Sequence, residues 1–312
     1  MASRDPSWQA IASVAASQHA LVTRAQCLEA GLTPTQVARA IGQAGRWQRL
    51  LPGVYLVVTG APSQMQQAQA ALLYAGPSAQ LTGRTALSLL GARYLPPDDA
   101  LVHVLVPIER QVSSRDLVRV HRTARLPRPR RRAGLPCSPP EHAAILACRL
   151  GIDLTSARAL LAEVVQRRWT TTDRLAEVLA GGHSAGSALP RRVLDDLAAG
   201  CRSAPEMELR DLIVHSDLLR PGVRWNSPLL VDGAPYTPDA CWPEVWLIVE
   251  VDSIEHHGLG WTPEETAARR LALTAAGWTV LSVSPYRIRR DGPGLLDQIE
   301  RTYRRLALIH AA

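Results

Sequence analysis

The chain contains no lysine, so arginine supplies all 35 of its basic residues and any mechanism that needs a lysine would require a substitute. Cysteine is scarce as well: the five that occur are scattered, form no CxxC pair and are odd in number. This pattern argues against both a disulfide framework and a structural zinc site. No apolar run approaches the roughly 18 residues of a membrane-spanning helix, and the N-terminus lacks the apolar stretch of a signal peptide. We therefore expect a cytoplasmic protein with no membrane partner.

Positive charge is abundant and unevenly spread. The formal net charge is +7, the pI is about 9.6, and residues 101–150 hold ten arginines against three acids. This distribution predicts a polyanionic partner, most economically DNA. The densest run, a candidate DNA-binding segment for which a solvated basic linker is the alternative, comprises Arg128, Arg130, Arg131 and Arg132. The length of 312 residues, with 46% hydrophobic residues and a mean hydropathy of −0.04, is typical of a globular protein with two or three domains.

Residues 8–58 have the pattern helix, helix, turn, helix and extended hairpin. Thr23 can cap a helix that Gly31 ends, and Thr33 can cap the next one. Two short strands are expected within residues 46–58. These are the parts of a winged helix-turn-helix, for which a plain helical subdomain is the alternative. The side chains expected on DNA are Thr35, Gln36 and Arg39 on the second motif helix, and Arg46 and Arg49 near the wing.

The middle of the chain, from residue 64 to about residue 200, offers no catalytic constellation. Helices, a strand at 101–107 and another at 117–121 precede a stretch dominated by proline and arginine, after which helices resume. His103 and His121 are isolated on separate strands, and lone histidines are more often structural than functional.

The last region, from residue 203 onward, contains the strongest chemical signal. Its order of helix, three strands, helix and strand describes a mixed sheet flanked by helices. Asp239 in TPD and Glu250 in LIVEVD fall at strand ends, and the eleven-residue spacing suits hairpin strands that direct both carboxylates to one point. Because two carboxylates buried together are costly without a cation between them, we expect Mg²⁺ or Mn²⁺ there. Such a metal could activate water for attack on a phosphoryl group.

Four segments of the N-terminal half carry a family resemblance: HALVTRAQCLEAGLT, GRWQRLLPGVYLV, AQLTGRTALSLLG and VHVLVP. Over about residues 8–150 they resemble the N-terminal region of the AbiEi-type antitoxin and transcriptional-regulator family. The resemblance implies a winged helix that binds DNA. Members of the family act as antitoxins. If this chain is a regulator of that type, the resemblance also implies a cognate nucleotidyltransferase toxin as its partner.

The C-terminal region resembles a second family. PD followed by ExD, at Pro238-Asp239 and residues 250–252, is similar to the motif of the PD-(D/E)XK nuclease superfamily, with Asp252 at the usual lysine position. The segments SAPEMELRDLI, PDACWPEVWLIVEVDSIEHHG and GWTVL resemble a family related to the very-short-patch repair endonucleases, in which histidine assists the chemistry.

This second resemblance implies a role for each matched position. The implied catalytic residues are Glu206, Asp239, Glu250, Asp252 and His257, and the implied metal ligands are Asp239, Glu250 and the Val251 carbonyl. Arg269 matches a helix arginine that is structural or faces the phosphate. Ser253, Thr266 and Ser282 depart from the family pattern and favour the alternative of a nuclease fold without catalysis.

The expected fold class is α/β, in a multi-domain α+β arrangement. A winged helix-turn-helix is expected at 1–60, an α/β and helical middle region with an arginine-rich linker at 61–200, and a restriction-endonuclease-like mixed sheet flanked by helices at 201–312. The favoured function is a metal-dependent DNA endonuclease in defence or repair, targeted by the winged helix. The alternative is a non-catalytic DNA-binding regulator of the antitoxin type. Both predict salt-sensitive DNA binding, and metal-dependent cleavage separates them.

Overall fold

The structure is a computed structural model that describes residues 6–42, 45–252 and 263–311. It confirms the expected mixture of helices and mixed sheets. The chain divides into two compact units, Met1–Ile152 and Asp153–Ala312. The three-part division predicted from the sequence stays a prediction. Among the described residues, no helix is both long and apolar enough to cross a membrane.

The first unit begins with three helices and a small sheet. Its elements are α1 (Pro6–Ser17), β1 (Leu21–Thr23), α2 (Arg24–Glu29), α3 (Pro34–Ile41), β2 (Gln48–Leu51) and β3 (Val54–Leu56). The sheet is antiparallel, and β3 lies between β1 and β2. Strand β1 was not predicted, because three residues are too few for an alternating pattern to be recognised. Helix, strand, two helices and hairpin are together the parts of a winged helix-turn-helix.

Threonines begin α2 and α3 as predicted. The Thr23 hydroxyl accepts from the Gln26 N–H while the Gln26 side chain accepts from the Thr23 N–H, and Thr33 and Gln36 form the same reciprocal pair. These capping boxes satisfy N–H groups that have no partner within the helix. Gly31, at φ 93°, adopts the left-handed conformation that ends α2 before Thr33 starts α3.

The apolar sides of these elements share one core. It contains Ile11 of α1, Val22 of β1, Cys27 of α2, Val37 of α3 and Tyr55 of β3, all of them buried. Burial of Val37 fixes which side of α3 faces the protein and therefore which side faces solvent.

The rest of the first unit is built on a five-stranded sheet. Its elements are α4 (Gln64–Ala75), β4 (Gln80–Leu81), α5 (Gly83–Leu89), β5 (Val102–Pro107), β6 (Val118–Thr123), β7 (Arg130–Arg132), β8 (Leu135–Cys137) and α6 (Pro140–Arg149). The strand order is β6-β5-β4-β8-β7. Helix α4 packs against strands of both sheets, which joins them within one unit. The arginine run, for which a linker was the alternative, contributes the paired strand β7.

The second unit starts with helices and continues as a helix-flanked sheet. Its helices are α7 (Leu154–Gln166), α8 (Thr172–Ala180), α9 (Ala188–Ala198), α10 (Ala204–Ile213), α11 (Pro263–Ala275), α12 (Pro285–Arg290) and α13 (Gly292–His310), with a short 3-10 turn at Pro243–Val245. Its strands are β9 (Arg224–Trp225), β10 (Leu229–Val231), β11 (Ala234–Tyr236), β12 (Ala240–Trp242), β13 (Leu247–Val251) and β14 (Thr279–Val283).

The main sheet of this unit has the order β14-β13-β12-β9, while β10 and β11 form a separate hairpin. Strand β13 is parallel to β14 and antiparallel to β12. Leu247 and Val249 share a core with Leu209 of α10 on one face. Ile248 shares a second core with Leu273 of α11 on the other face. Burial on both faces explains why β13 is a nearly continuous apolar run.

Candidate functional site

Helix α3 carries three of the five side chains that the winged helix is predicted to place on DNA. Thr35 and Arg39 are exposed, whereas Val37 between them is buried. Gln36 is half-buried, and its Oε1 accepts from the backbone N–H of Thr33 at 2.7 Å and from its hydroxyl at 3.0 Å. The side-chain oxygen of Gln36 therefore serves the helix cap. Thr35 and Arg39 are the better placed of the three for contacts with bases.

The predicted wing is the β2–β3 hairpin. Arg49 of β2 is exposed, as is Arg46 just before the strand. The hairpin turns at Pro52 and Gly53, and Gly53 has φ 74°, a conformation that favours glycine. The Gly53 carbonyl accepts from the backbone N–H of Arg24 at 2.8 Å, which anchors the turn to the start of α2. Arg49 thus lies on a hairpin that is fixed to the helical motif, and Arg46 lies just before that hairpin.

The arginine run lies at an edge of the five-stranded sheet. Arg128, Arg130 and Arg131 are exposed, and Arg132 is half-buried. Nη1 of Arg131 donates to the Gly134 carbonyl at 2.7 Å across the β7–β8 turn. Basic side chains on an edge strand also hinder its pairing with the edges of other sheets. Arginine at these positions therefore has two possible physical roles, namely DNA binding and protection of the sheet edge.

His103 and His121, expected to be isolated, are in fact joined. Nδ1 of His103 lies 2.9 Å from Nε2 of His121, and Nε2 of His103 lies 2.9 Å from Oδ2 of Asp99. Burial is the largest cause that lowers the pKa of His121, to about 4, and the charges of His103 and Arg119 lower it further. Because Asp99 and His121 contact opposite nitrogens of one ring, a single metal ion could not bind all three side chains. The chain of hydrogen bonds therefore serves the structure of this sheet.

In the second unit, the carboxylates of Asp239 and Glu250 are neighbours. Ala240 of β12 pairs with Val249 of β13 in antiparallel register, which places Asp239 opposite Glu250 one residue further along. Oδ2 of Asp239 accepts from the backbone N–H of Val251 at 2.8 Å. The structure thus brings these two predicted residues together, while their catalytic roles stay predictions.

Asp239 holds its proton unusually strongly. Burial and then the charge of Glu206 raise its pKa to about 8, and the charge of Glu250 adds to this. The hydrogen bond from the Val251 N–H and the charge of Arg269 act in the opposite direction. Burial and the neighbouring negative charges therefore outweigh the Val251 N–H and Arg269, and the Asp239 carboxyl favours its neutral form.

Glu206 is buried in the first turn of α10, with 1% of its surface exposed. Its Oε2 accepts from the Arg202 N–H and from Nδ2 of Asn226, each at 2.8 Å. Its Oε1 accepts from the Ser203 hydroxyl at 2.8 Å. Both oxygens are thus engaged by the protein itself, so Glu206 acts on Asp239 through its charge and through Asn226.

Asn226 belongs to this cluster, although sequence reasoning did not include it in the site. Besides its bond to Glu206, it donates its backbone N–H to the Asp239 carbonyl at 3.1 Å, which places the two residues on neighbouring chain segments. One signal was available in the sequence, since Asn226 is the only asparagine in the chain.

Arg269 of α11 is the cation beside these carboxylates. Its Nη2 donates to Oε1 of Glu250 at 2.8 Å and to the Thr237 carbonyl at 3.1 Å. Its guanidinium carbon lies 5.8 Å from the centre of the Tyr236 ring. In a chain without lysine, an arginine from a neighbouring helix thus supplies the positive charge at Glu250.

Asp252, the residue at the usual lysine position, pairs with Arg270 and is 43% exposed. The carboxylate is thus held by a cation at the surface. Ser282 of β14, a departure from the family pattern, is exposed and lies opposite Glu250. The predicted catalytic His257 lies outside the described residues, as does Ser253.

The groups that could bind the expected metal are few. Across the described ranges, no three histidine, cysteine, aspartate or glutamate side chains are grouped so as to hold a metal ion. The donors present, Asp239, Glu250 and the Val251 carbonyl, are all oxygen and suit Mg²⁺ or Mn²⁺ in chemistry. A metal there would share Glu250 with Arg269 and would complete its coordination with water or phosphate oxygens.

Comparison with known proteins gives a family match at the N-terminus and similarity to solved structures. Residues 9–58 match the family described as "Transcriptional regulator, AbiEi antitoxin", a segment that runs from α1 to just beyond β3. The match supports the N-terminal part of the resemblance and ends before the residues that resemble nucleases. Among solved structures, the RV2827C protein from Mycobacterium tuberculosis is similar, with 20% identity, a TM-score of 0.42, and coverage of 62% of this chain and 78% of that chain. No curated protein matches.

Proposed function

We propose that the protein binds duplex DNA through its winged helix-turn-helix and acts as a transcriptional regulator. The observation that carries this proposal is α3, which is capped at Thr33 and exposes Thr35 and Arg39 within the segment matched to a regulator family. In helix-turn-helix proteins this helix lies in the major groove. The Arg39 guanidinium has the geometry to contact guanine, while Arg46 and Arg49 are suited to phosphates.

The test is the sequence dependence of binding. A preferred duplex is selected from a random pool, and affinities for it and for an unrelated duplex are measured. Arg39→Ala should weaken the binding free energy by about 1–3 kcal/mol for the preferred duplex and by much less for the unrelated one. Arg49→Ala, the matched phosphate-contact variant, should weaken both equally. Equal losses on both duplexes for Arg39→Ala would refute base reading, and a wild-type protein that binds no duplex would refute the function.

The matched family description also names an antitoxin, and this supports proposing a nucleotidyltransferase toxin as the protein partner. Co-expression of the chain with a nucleotidyltransferase encoded beside it should neutralise toxicity and yield a complex on gel filtration. If toxicity persists and the two proteins elute separately, the antitoxin role is refuted, whereas the proposed DNA binding is unaffected.

A second candidate function, metal-dependent cleavage of DNA, is favoured by the paired carboxylates of Asp239 and Glu250. Both would hold Mg²⁺ or Mn²⁺, with the Val251 carbonyl as a further ligand. When bound, such an ion supplies charge neutralisation at the phosphoryl group and a water of lowered pKa. Arg269 would orient Glu250 through the bond to its Oε1. We retain His257 as the proposed general acid or base.

Cleavage is tested on supercoiled plasmid with Mg²⁺ or Mn²⁺, compared with EDTA. Asp239→Ala should abolish cutting and preserve DNA affinity, because the winged helix lies elsewhere in the chain. His257→Ala should slow cutting by about 10²- to 10⁴-fold, the usual contribution of a positioned proton-transfer group. Asp252→Ala should reduce the cleavage rate less than Asp239→Ala does. The candidate fails if the wild type cuts no duplex, mismatched or single-stranded DNA, or if cutting persists in Asp239→Ala.

A further inference from the structure

One face of the five-stranded sheet can be traced from its β6 edge through the strand register. Arg119 of β6 lies opposite His103 of β5, and Leu105 of β5 lies opposite Gln80 of β4. Directly paired residues share a face, and residues two apart on a strand return to it. Arg119 and Gln80 therefore lie on the same face of the sheet.

The chain between β6 and β7 crosses the sheet on this face. Nε2 of Gln80 donates to the Pro127 carbonyl at 2.7 Å, so the crossing segment passes over the central strand on the side of the Gln80 side chain. Arg125 and Arg128 belong to this segment and are exposed. They continue the face on which Arg119 lies.

The far edge of the sheet adds one more arginine. Leu81 of β4 pairs with Cys137 of β8, so Pro136, the neighbour of Cys137, shares the face of Gln80. Arg131 of β7 lies opposite Pro136 and is exposed. We call the set on this face the arginine stripe, and its members are Arg119, Arg125, Arg128 and Arg131.

Positive charge outweighs negative charge along the arginine stripe. Throughout the described ranges, no ion pair joins any of its four members to a carboxylate. Asp99, whose carboxylate reaches this face, is bonded to His103, and Asp116 pairs with Arg115. Exposed like charges held together repel one another, and a bound polyanion removes that repulsion. The neighbours Arg130 and Arg132 pair with buried residues of β8 and lie on the opposite face.

We propose that the arginine stripe is a second contact surface for the phosphate backbone of duplex DNA, beyond the winged helix. Five strands spaced about 4.8 Å apart make it about 19 Å wide, the length of five to six base pairs at about 3.4 Å each. Duplex DNA is the favoured polyanion because α4 packs against both this sheet and the sheet of the winged helix. The choice of DNA rests on the proposed function, whereas the charge and exposure of the stripe do not.

The experiment compares two triple variants of the full chain by the salt dependence of duplex binding. The stripe variant carries Arg119→Gln, Arg125→Gln and Arg128→Gln and keeps Arg131, which bonds to its own turn. The matched control carries Arg168→Gln, Arg174→Gln and Arg191→Gln, three exposed arginines of the second unit, and so has the same net charge.

Each lost phosphate contact reduces the slope of log K against log salt by about 0.9. For the stripe variant, the slope of log K against log salt should therefore be smaller in magnitude by about 2 to 3 on every duplex. The stretch of DNA that this variant protects from nuclease digestion should also be shorter than that protected by the wild type. The control should match the wild type. Equal slopes for the two variants would overturn the proposal, as would a wild type that binds RNA or anionic vesicles in preference to duplex DNA.

The outcomes also separate the stripe from the winged helix. If Arg39→Ala has no effect while the stripe variant loses slope, the stripe stands and base reading by α3 is refuted. If the stripe variant keeps the wild-type slope while Arg39→Ala loses sequence preference, the stripe is refuted and the proposed function stands.

Discussion

Glu206 and Asp239 are acids of one cluster with different surroundings. Glu206 accepts hydrogen bonds from the Arg202 N–H, the Ser203 hydroxyl and the Asn226 amide, so both of its buried carboxylate oxygens have partners. For Asp239 one such bond, from the Val251 N–H, is opposed by burial and by the charge of Glu206. The two acids of this cluster therefore differ in how far the surrounding protein compensates their burial.

This difference predicts how Asp239 affects stability. Because its pKa is raised to about 8 in the folded protein, the folded state retains a proton that the unfolded state releases from about pH 4 upward. Folding stability should therefore fall as the pH rises from about 4 to about 8. Asp239→Asn keeps an oxygen for the Val251 N–H and removes this loss, so it should be more stable than the wild type at pH 8 by about 3–5 kcal/mol.

Urea unfolding at several pH values measures this effect. The advantage of Asp239→Asn should vanish near pH 4, and Mg²⁺ or Mn²⁺ should stabilise the wild type at pH 8 but not the variant if the site holds a metal. A constant difference across the pH range would contradict the raised pKa.

At the scale of elements, α3 shows how a short helix is held in place. It has eight residues, too few to be stable alone, and depends on its cap and on the burial of Val37. The Thr33 hydroxyl accepts from the Gln36 N–H, and the Gln36 side chain accepts in return. The cap therefore positions Thr35 and Arg39 on the exposed side of the helix.

Thr33→Ala and Thr35→Ala should separate the roles of these two threonines. Thr33→Ala removes the cap and should lower the free energy of unfolding by about 1 kcal/mol, with a loss of DNA affinity. Thr35→Ala removes an exposed side chain and should leave stability within about 0.5 kcal/mol while weakening DNA binding. Urea unfolding and duplex titration of both variants provide the check. Equal stabilities would show that the cap does not support the helix.

At the scale of the whole molecule, an ionic network with a buried centre joins three helices of the second unit. Nη2 of Arg158 in α7 donates to Asp196 of α9 at 2.9 Å and to Asp211 of α10 at 2.7 Å. Arg210 donates to Asp196 at 2.7 Å, and Arg192 to Asp211 at 3.0 Å. Helix α10 also carries Glu206, so the network connects the carboxylate site to helices on the other side of the boundary predicted at residue 200.

Asp196→Ala should be strongly destabilising, because it leaves Arg158, which is 2% exposed, with one carboxylate fewer in the interior. The expected loss is about 3 kcal/mol, the low end for breaking a buried pair, since Asp211 remains. Asp195→Ala, at the exposed neighbouring position, should change stability by less than about 0.5 kcal/mol. Chemical unfolding of both variants decides the matter, and similar losses would contradict a structural role for the network.

The parts of the fold that can be predicted from the sequence are those set by local signals. The helices begun by Thr23 and Thr33, the hairpin at Pro52-Gly53 and the apolar strand at 247–251 all follow from caps, turn residues and unbroken hydrophobicity. The spacing of Asp239 and Glu250 was enough to anticipate adjacent strands. Strand β1 has too few residues to produce a pattern, and so it appears only through its pairing with β3.

The sequence by itself determined the element types, the positive charge and the residues capable of chemistry, because propensity, capping and composition act over a few neighbouring positions. Only the tertiary structure decided which side chains meet. Arg269 reaches Glu250 from 19 residues away, and Asn226 reaches Glu206 from 20 residues away. The arginines of one run are likewise divided between two faces of a sheet. Such contacts depend on strand order and register. The burial of apolar residues that are distant in the sequence selects both, so no short segment of the sequence contains that information.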